Sequence, residues 1–178
     1  MSLRDAVRDK HNEAEKHCFV VSLLSGEMKP EVYATYLVNQ AACYRALETV
    51  ASEHMRSLPG LRRAELIELD AKELLGDAEP PDLTTSTRYY VSYVQEVPSN
   101  LLWAHIYGRH FADLYGGQLI KKVAPGACRM YHFEDRAGLI KAVRGKLTDD
   151  LAHEANTVFD FAIELFDEVA DAHNLRAS

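Results

Sequence analysis

The chain has 178 residues, of which 47% are hydrophobic and 26% charged, a composition that suits one globular domain over residues 1–178 and excludes a fibrous repeat or a disordered chain. Asp and Glu outnumber Lys and Arg 27 to 20, and the formal net charge of -7 argues against nucleic acid or an anionic membrane as a partner. No stretch approaches the ~18 apolar residues of a membrane span, the first residues form no apolar leader, and Cys18, Cys43 and Cys128 have neither disulfide-framework nor zinc spacing. The expectation is a cytoplasmic protein with reduced thiols.

Along the chain, Leu3, Val7 and Ala14 recur with charges between them at a helical period. A long helix is expected over 30–56, opened by Pro30, with Tyr33, Tyr36, Leu37, Tyr44, Leu47 and Ala51 on its apolar face. LRRAELIELDAKELLG reads as a helix stopped by Gly76, DAEPPDLTT as a loop, and residues 86–96 as a further helix. Pro98 opens a helical segment that continues to Pro125 and contains the adjacent Gly116 and Gly117. The C-terminal LAHEANTVFDFAIELFDEVADAH places Leu151, Ala155, Val158, Phe159, Ala162, Leu165, Phe166 and Val169 on one helical face. Without period-2 alternation or a repeat, the fold class is all-α, a single-domain multi-helix bundle.

Two local patterns carry chemistry. In HNEAE, His11 and Glu15 are an i,i+4 pair about 40° apart around a helix, so the carboxylate can meet one ring nitrogen while the other points away. That is a metal ligand with an orienting partner, or else an exposed ion pair on a helix surface. The second pattern is the glycine pair, each member costing about 1 kcal/mol in a helix interior relative to alanine. Bare backbone lets a flat ligand approach and the helix bend; the alternative is a close helix crossing or a cap. Asp113, just before the pair, must be exposed or part of a hydrated polar network.

HIYGRHFADLYGGQLIKKVA resembles the distal-helix signature of the haem oxygenase family, of the form Y-x-R-(Y/x)-L-G-D-L-S-G-G-Q-x-x-K-K. LRDAVRDKHNEAE is similar to that family's proximal-helix motif, and weaker similarity runs through YRALE and FDFAIELFDEV. The resemblance implies a bundle that holds haem b between a proximal and a kinked distal helix. The enzyme it implies opens haem, both substrate and cofactor, to biliverdin of the IXα type, carbon monoxide and ferrous iron, using O2. Electrons would come from a ferredoxin or a flavoprotein reductase, with Arg8, Lys10, Lys121 and Lys122 as a docking patch, and a biliverdin reductase would be a further partner.

By the same resemblance His11 is the iron ligand and Glu15 the acceptor for its other nitrogen. Asp113 organises protons on the distal side, supported by Tyr44 and Arg109, and Gly116 and Gly117 touch the haem face. Arg4, Tyr107 and Arg144 hold or neighbour the propionates, and Phe159 and Phe166 wall the pocket. The chain departs from the pattern at Ala112, in place of a glycine, at Tyr115, in place of a serine, at Ile140, in place of a lysine, and at Ala162, in place of an asparagine.

Two other readings compete. A di-metal oxidase would use the i,i+3 pairs His110 with Asp113 and Asp150 with His153, although the further Glu-x-x-His set such a site needs is missing. A haem carrier or sensor would keep His11 but have no use for Asp113. The remaining His17, His54, His105, His132 and His173 are expected at the surface or as satisfied core residues.

Overall fold

The computed structural model describes residues 1–177 and is entirely helical across them, with no strand among the described residues; Ser178, the last residue of the expected domain, lies outside them. The N-terminal segment forms α1 (Leu3–Ala6), capped by the Ser2 side chain, and α2 (Arg8–Glu15), broken from it by a single turn at Val7. Leu3, Val7 and Ala14 are all buried, as the periodicity predicts. Next comes α3 (Cys18–Leu24), opened by His17, whose ring accepts from the Phe19 N–H.

Pro30 sits at the first turn of α4 (Pro30–Val50), the long helix expected, which stops at Ala51 before the short α5 (Ser52–Met55), so the predicted single rod to Arg56 is interrupted near its end. α6 (Ala64–Leu75) ends where Gly76 turns to φ +57°, a conformation that costs glycine nothing. α7 (Thr85–Gln95) is capped by Thr84, which accepts from the Thr87 N–H.

The glycine-containing segment is not one regular helix. It runs through α8 (Leu102–Ile106), a wide π-helical turn over Tyr107–Phe111, α9 (Ala112–Tyr115) and, after Gly116, α10 (Gly117–Ile120). These pieces are referred to together as the distal helix. After it come α11 (Arg136–Arg144), capped by the Asp135 side chain, and α12 (Ala152–Ala172).

Apolar side chains gather in three clusters. One joins α3, α4 and α6 with the C-terminal half of α12, around Phe19, Tyr33 and Leu37. Another lies between the C-terminal half of α4, α7, α8 and α11, around Leu47, Ile106 and Val143. The third holds α1 and α2 on α12, through Leu3, Val7, Ala155 and Phe159, with Tyr107 of the distal helix packed against it. α12 therefore touches both α2 and the distal helix and forms a floor between them. Cys18, Cys43 and Cys128 are free thiols, and no helix among the described residues is long and apolar enough to cross a membrane.

Candidate functional site: a cleft between the N-terminal and the distal helices

On one side of the floor, α2 presents His11. Its side chain is 50% exposed and its Nδ1 lies 3.6 Å from Glu15 Oε2, the geometry expected of the i,i+4 pair. Nε2 makes no bond among the described residues. Beneath it the edge of the imidazole meets Phe159 of α12, with ring centroids 5.8 Å apart and planes at 76°. Phe166, two turns further along α12, is half-buried, stacks on Phe19 at 5.2 Å and meets Tyr36 at a tilt at 5.9 Å, so it links the floor to the larger core.

The opposite side is the distal helix. Asp113 is half-buried, and its Oδ2 accepts from the Tyr44 hydroxyl of α4 at 2.5 Å. Burial pushes the Asp113 carboxyl up to about 7, against the opposing influence of the Tyr44 bond and of the Arg63 and Arg109 guanidiniums. Arg109 is buried, lies 4.0 Å above the Tyr90 ring and 5.7 Å from that of Tyr44, and donates to Gln40 Oε1 at 2.9 Å. Gln40 in turn donates to the Tyr36 hydroxyl. Asp113 is thus bonded to Tyr44, Arg109 stands over the Tyr44 ring, and Gln40 carries the chain of bonds from Arg109 on to Tyr36.

The two glycines occupy different surroundings. Gly116 is exposed, and a methyl group there would meet only the Ala112 carbonyl oxygen, at 3.5 Å. Gly117 is buried, and a methyl group would come within 2.3 Å of the Tyr131 ring. The expectation that both glycines bare the helix toward a ligand therefore needs correcting. Gly116 and Ala112 share the open side, whereas Gly117 is small because an aromatic ring packs on it. Gly108, not singled out in the sequence, plays a similar role against α12, where a methyl group would approach Val158 to 2.6 Å.

A second layer lies behind the Asp113 network and has no local sequence signal. His110 is fully buried beneath the Tyr44 ring, 4.7 Å between centroids, and its Nε2 bonds Glu48 Oε1 at 2.9 Å. The same oxygen accepts the main-chain N–H of Arg63 at 2.5 Å and of Ala64 at 3.1 Å. Burial holds His110 below the ordinary imidazole value; Glu48, which burial alone would raise, stays low through its bonds to His110 and to these two amides. A second buried pair joins His105 Nε2 to Glu154 Oε1 at 2.9 Å, with the Tyr90 hydroxyl 2.9 Å from His105 Nδ1.

His110 and Asp113 are thus committed to different partners, and among the described residues no three His, Cys, Asp or Glu side chains gather to hold a metal ion. The di-metal arrangement is not assembled. Three of the other expected histidines have partners, His17 with Asp167 at 3.0 Å, His54 with the Ser99 carbonyl at 2.8 Å, and His173 with Thr35 at 3.0 Å, and His132 is at the surface.

At the mouth of the cleft, Tyr107 stacks on Phe111 and Phe111 meets Tyr115 edge-on. Burial raises the Tyr107 phenol, partly offset by the positive charge of Arg4, which is exposed on α1. Arg144 donates to the Tyr115 hydroxyl. Of the expected docking patch, Lys10 is bound to Asp160 at 2.6 Å and to Glu13 at 3.3 Å, and Arg8 lies 3.9 Å from Asp5.

The heme oxygenase family model matches residues 1–168, and the chain belongs to the heme oxygenase family, enzymes that cleave haem oxidatively. It is 28% identical to a protein named "Heme oxygenase" from Guillardia theta, over 95% of this chain and 85% of that one. The structure of heme oxygenase from Leptospira interrogans superposes with a TM-score of 0.82 at 26% identity, covering 94% of this chain and 100% of the other. Heme oxygenase-1 from the cyanobacterium Synechocystis, solved in complex with heme, shares the fold with a TM-score of 0.83 at 23% identity, covering 98% of this chain and 95% of the other.

Proposed function

We propose that the haem substrate lies on α12 between α2 and the distal helix, bound at its iron by His11 Nε2 and overlooked on the opposite face by Asp113. The observation that carries this reading is that α12 packs against both α2, which bears an imidazole with a single free nitrogen, and the distal helix, which bears a half-buried carboxyl beside the exposed Gly116 backbone. Bound haem supplies the iron that activates O2 and is itself the molecule opened.

The protein's part is to bind, orient and move protons. Glu15 beside Nδ1 favours the tautomer with its proton on that nitrogen, which leaves the Nε2 lone pair for iron. Ala112 and Gly116 keep the distal backbone close to the macrocycle, and Phe159 with Phe166 makes the floor apolar. Arg4, Tyr107 and Arg144 stand at the rim, where the propionates would meet cations. Asp113 uses Oδ2 to accept from Tyr44, which leaves Oδ1 to pass protons through water, and a carboxyl poised at about 7 is protonated often enough at neutral pH to act as a donor. The products are biliverdin of the IXα type, carbon monoxide and ferrous iron. Electrons arrive from a ferredoxin or a flavoprotein reductase, and a biliverdin reductase consumes the pigment.

The test is a haem titration followed by aerobic turnover. His11→Ala is expected to change the ferric spectrum and weaken binding, and Asp113→Asn to bind haem yet form biliverdin roughly a hundredfold more slowly or worse. Wild-type turnover should fall as pH rises through about 7, because the proton-bearing form of Asp113 is lost. An unaltered ferric spectrum in His11→Ala, or undiminished pigment from Asp113→Asn, would overturn the assignment.

A further inference from the structure

On the distal helix one exposed phenol is held by two arginines of α11. Tyr107, Phe111 and Tyr115 follow at intervals of four residues along the distal helix and touch in sequence, at centroid distances of 5.7 and 5.2 Å. Tyr115, 42% exposed, sits between two guanidiniums of α11. Arg144 donates to its hydroxyl, and the Arg136 guanidinium carbon stands 5.6 Å from its ring centroid while Arg136 Nε donates to the Leu114 carbonyl. Neither guanidinium has a carboxylate partner among the described residues, in a chain whose net charge is -7. Two unneutralised cations flanking an exposed phenol make a seat for an anion. One turn before Arg144 on the same helix face, Ile140 packs into the core and brings no charge.

We infer that Tyr115 is a positioning residue that sets Arg144 against one haem propionate and donates a second hydrogen bond to the same carboxylate. The phenol oxygen accepts from Arg144, so its own O–H remains free to donate, and Arg144 keeps further N–H groups for the carboxylate. A tethered arginine also loses less freedom when the anion arrives than one that must first be ordered. Together the pair fixes the in-plane rotation of the macrocycle, and hence which meso-carbon lies below Asp113. This inference rests on haem occupying the cleft.

Tyr115→Phe removes the oxygen and keeps the ring between Phe111 and Arg136, so the fold should survive. Proton NMR of the ferric haem complex reads the rotation directly through the haem methyl resonances, without turnover. Wild type is expected to give one dominant methyl pattern and one biliverdin isomer. Tyr115→Phe should give a second pattern, a second isomer and roughly tenfold weaker haem binding. Arg144→Met should produce the same isomer change, and the double variant should lose less than the sum of the two single losses, as coupled residues sharing one carboxylate require. A wild-type methyl pattern and isomer in Tyr115→Phe, or additive effects in the double variant, would overturn the inference while leaving the haem site intact. Failure of the wild-type protein to bind haem would instead bring down the site assignment, and the inference with it.

Discussion

Asp113 is held in a way that trades stability for proton affinity. Burial pushes its carboxyl up to about 7 in the fold, above the ordinary aspartate value of about 3.8 that the unfolded chain keeps, so between these limits the native state binds the extra proton. Stability contributed by that proton is complete below about pH 4 and is lost as pH rises through about 7. Asp113→Asn, which can still accept from Tyr44, is therefore expected to melt higher than wild type at pH 8, with the advantage shrinking to nothing by pH 4. Thermal unfolding across that range checks it, and a constant difference would show that the carboxylate is better hydrated than its surroundings suggest. His105 and His110 act in the opposite sense: burial depresses both, so acid that protonates imidazoles in the unfolded chain withdraws stability as pH falls.

At the scale of the element, the distal helix separates two effects that one sequence pattern merges. Gly116→Ala meets no obstacle and gains about 1 kcal/mol of helix propensity, so its protein should be at least as stable as wild type while binding haem less well. Gly117→Ala drives a methyl group into Tyr131 and should cost on the order of 1–3 kcal/mol in denaturant unfolding, whatever its effect on haem. The sequence announced that a rule was broken at this pair, because glycine is costly in a helix, but not that only one of the two faces the cleft. That distinction depends on Tyr131, which reaches the helix from 14 positions further along the chain. The partners of Glu48 and His105 were illegible for the same reason: His110 and Glu154 lie 62 and 49 residues away from them. By contrast α4, α7 and α12 were readable, since a proline at the first turn, a threonine cap and a sustained apolar stripe are local signals. α3 was not, because CFVVSLL is too short and too uniformly apolar to show a period.

In the whole molecule the two sides of the site are anchored unequally. α4 is buried along much of its length between α6 and α7, whereas α1 and α2 rest on α12 and the turn before it through a few apolar side chains and polar ties. The polar ties include the Leu3 N–H to Asp149 at 2.8 Å, the Asn156 amide to the Ala6 carbonyl at 3.3 Å, and Lys10 to Asp160 at 2.6 Å. The exposed Lys10–Asp160 pair contributes about 1 kcal/mol or less, and each of the two part-buried hydrogen bonds about 1 kcal/mol. Native-state hydrogen exchange should therefore find the amides of α1 and α2 opening well before those of α4, and haem should slow the former selectively. Equal protection in the free protein would mean that the proximal wall is preformed.

The wide turn over Tyr107–Phe111 carries one residue more than a regular helix would need to cover the same stretch. Arg109 and His110, neighbours in the chain, can both point inward there while Asp113 still reaches Tyr44. Deleting a single codon within that turn would let the rod close into a regular helix with Asp113 and Tyr115 still near their present faces, at the expense of one of the two inward side chains, Arg109 or His110. Such an in-frame loss should leave the acid on its phenol and break either the Arg109–Gln40 or the His110–Glu48 bond instead.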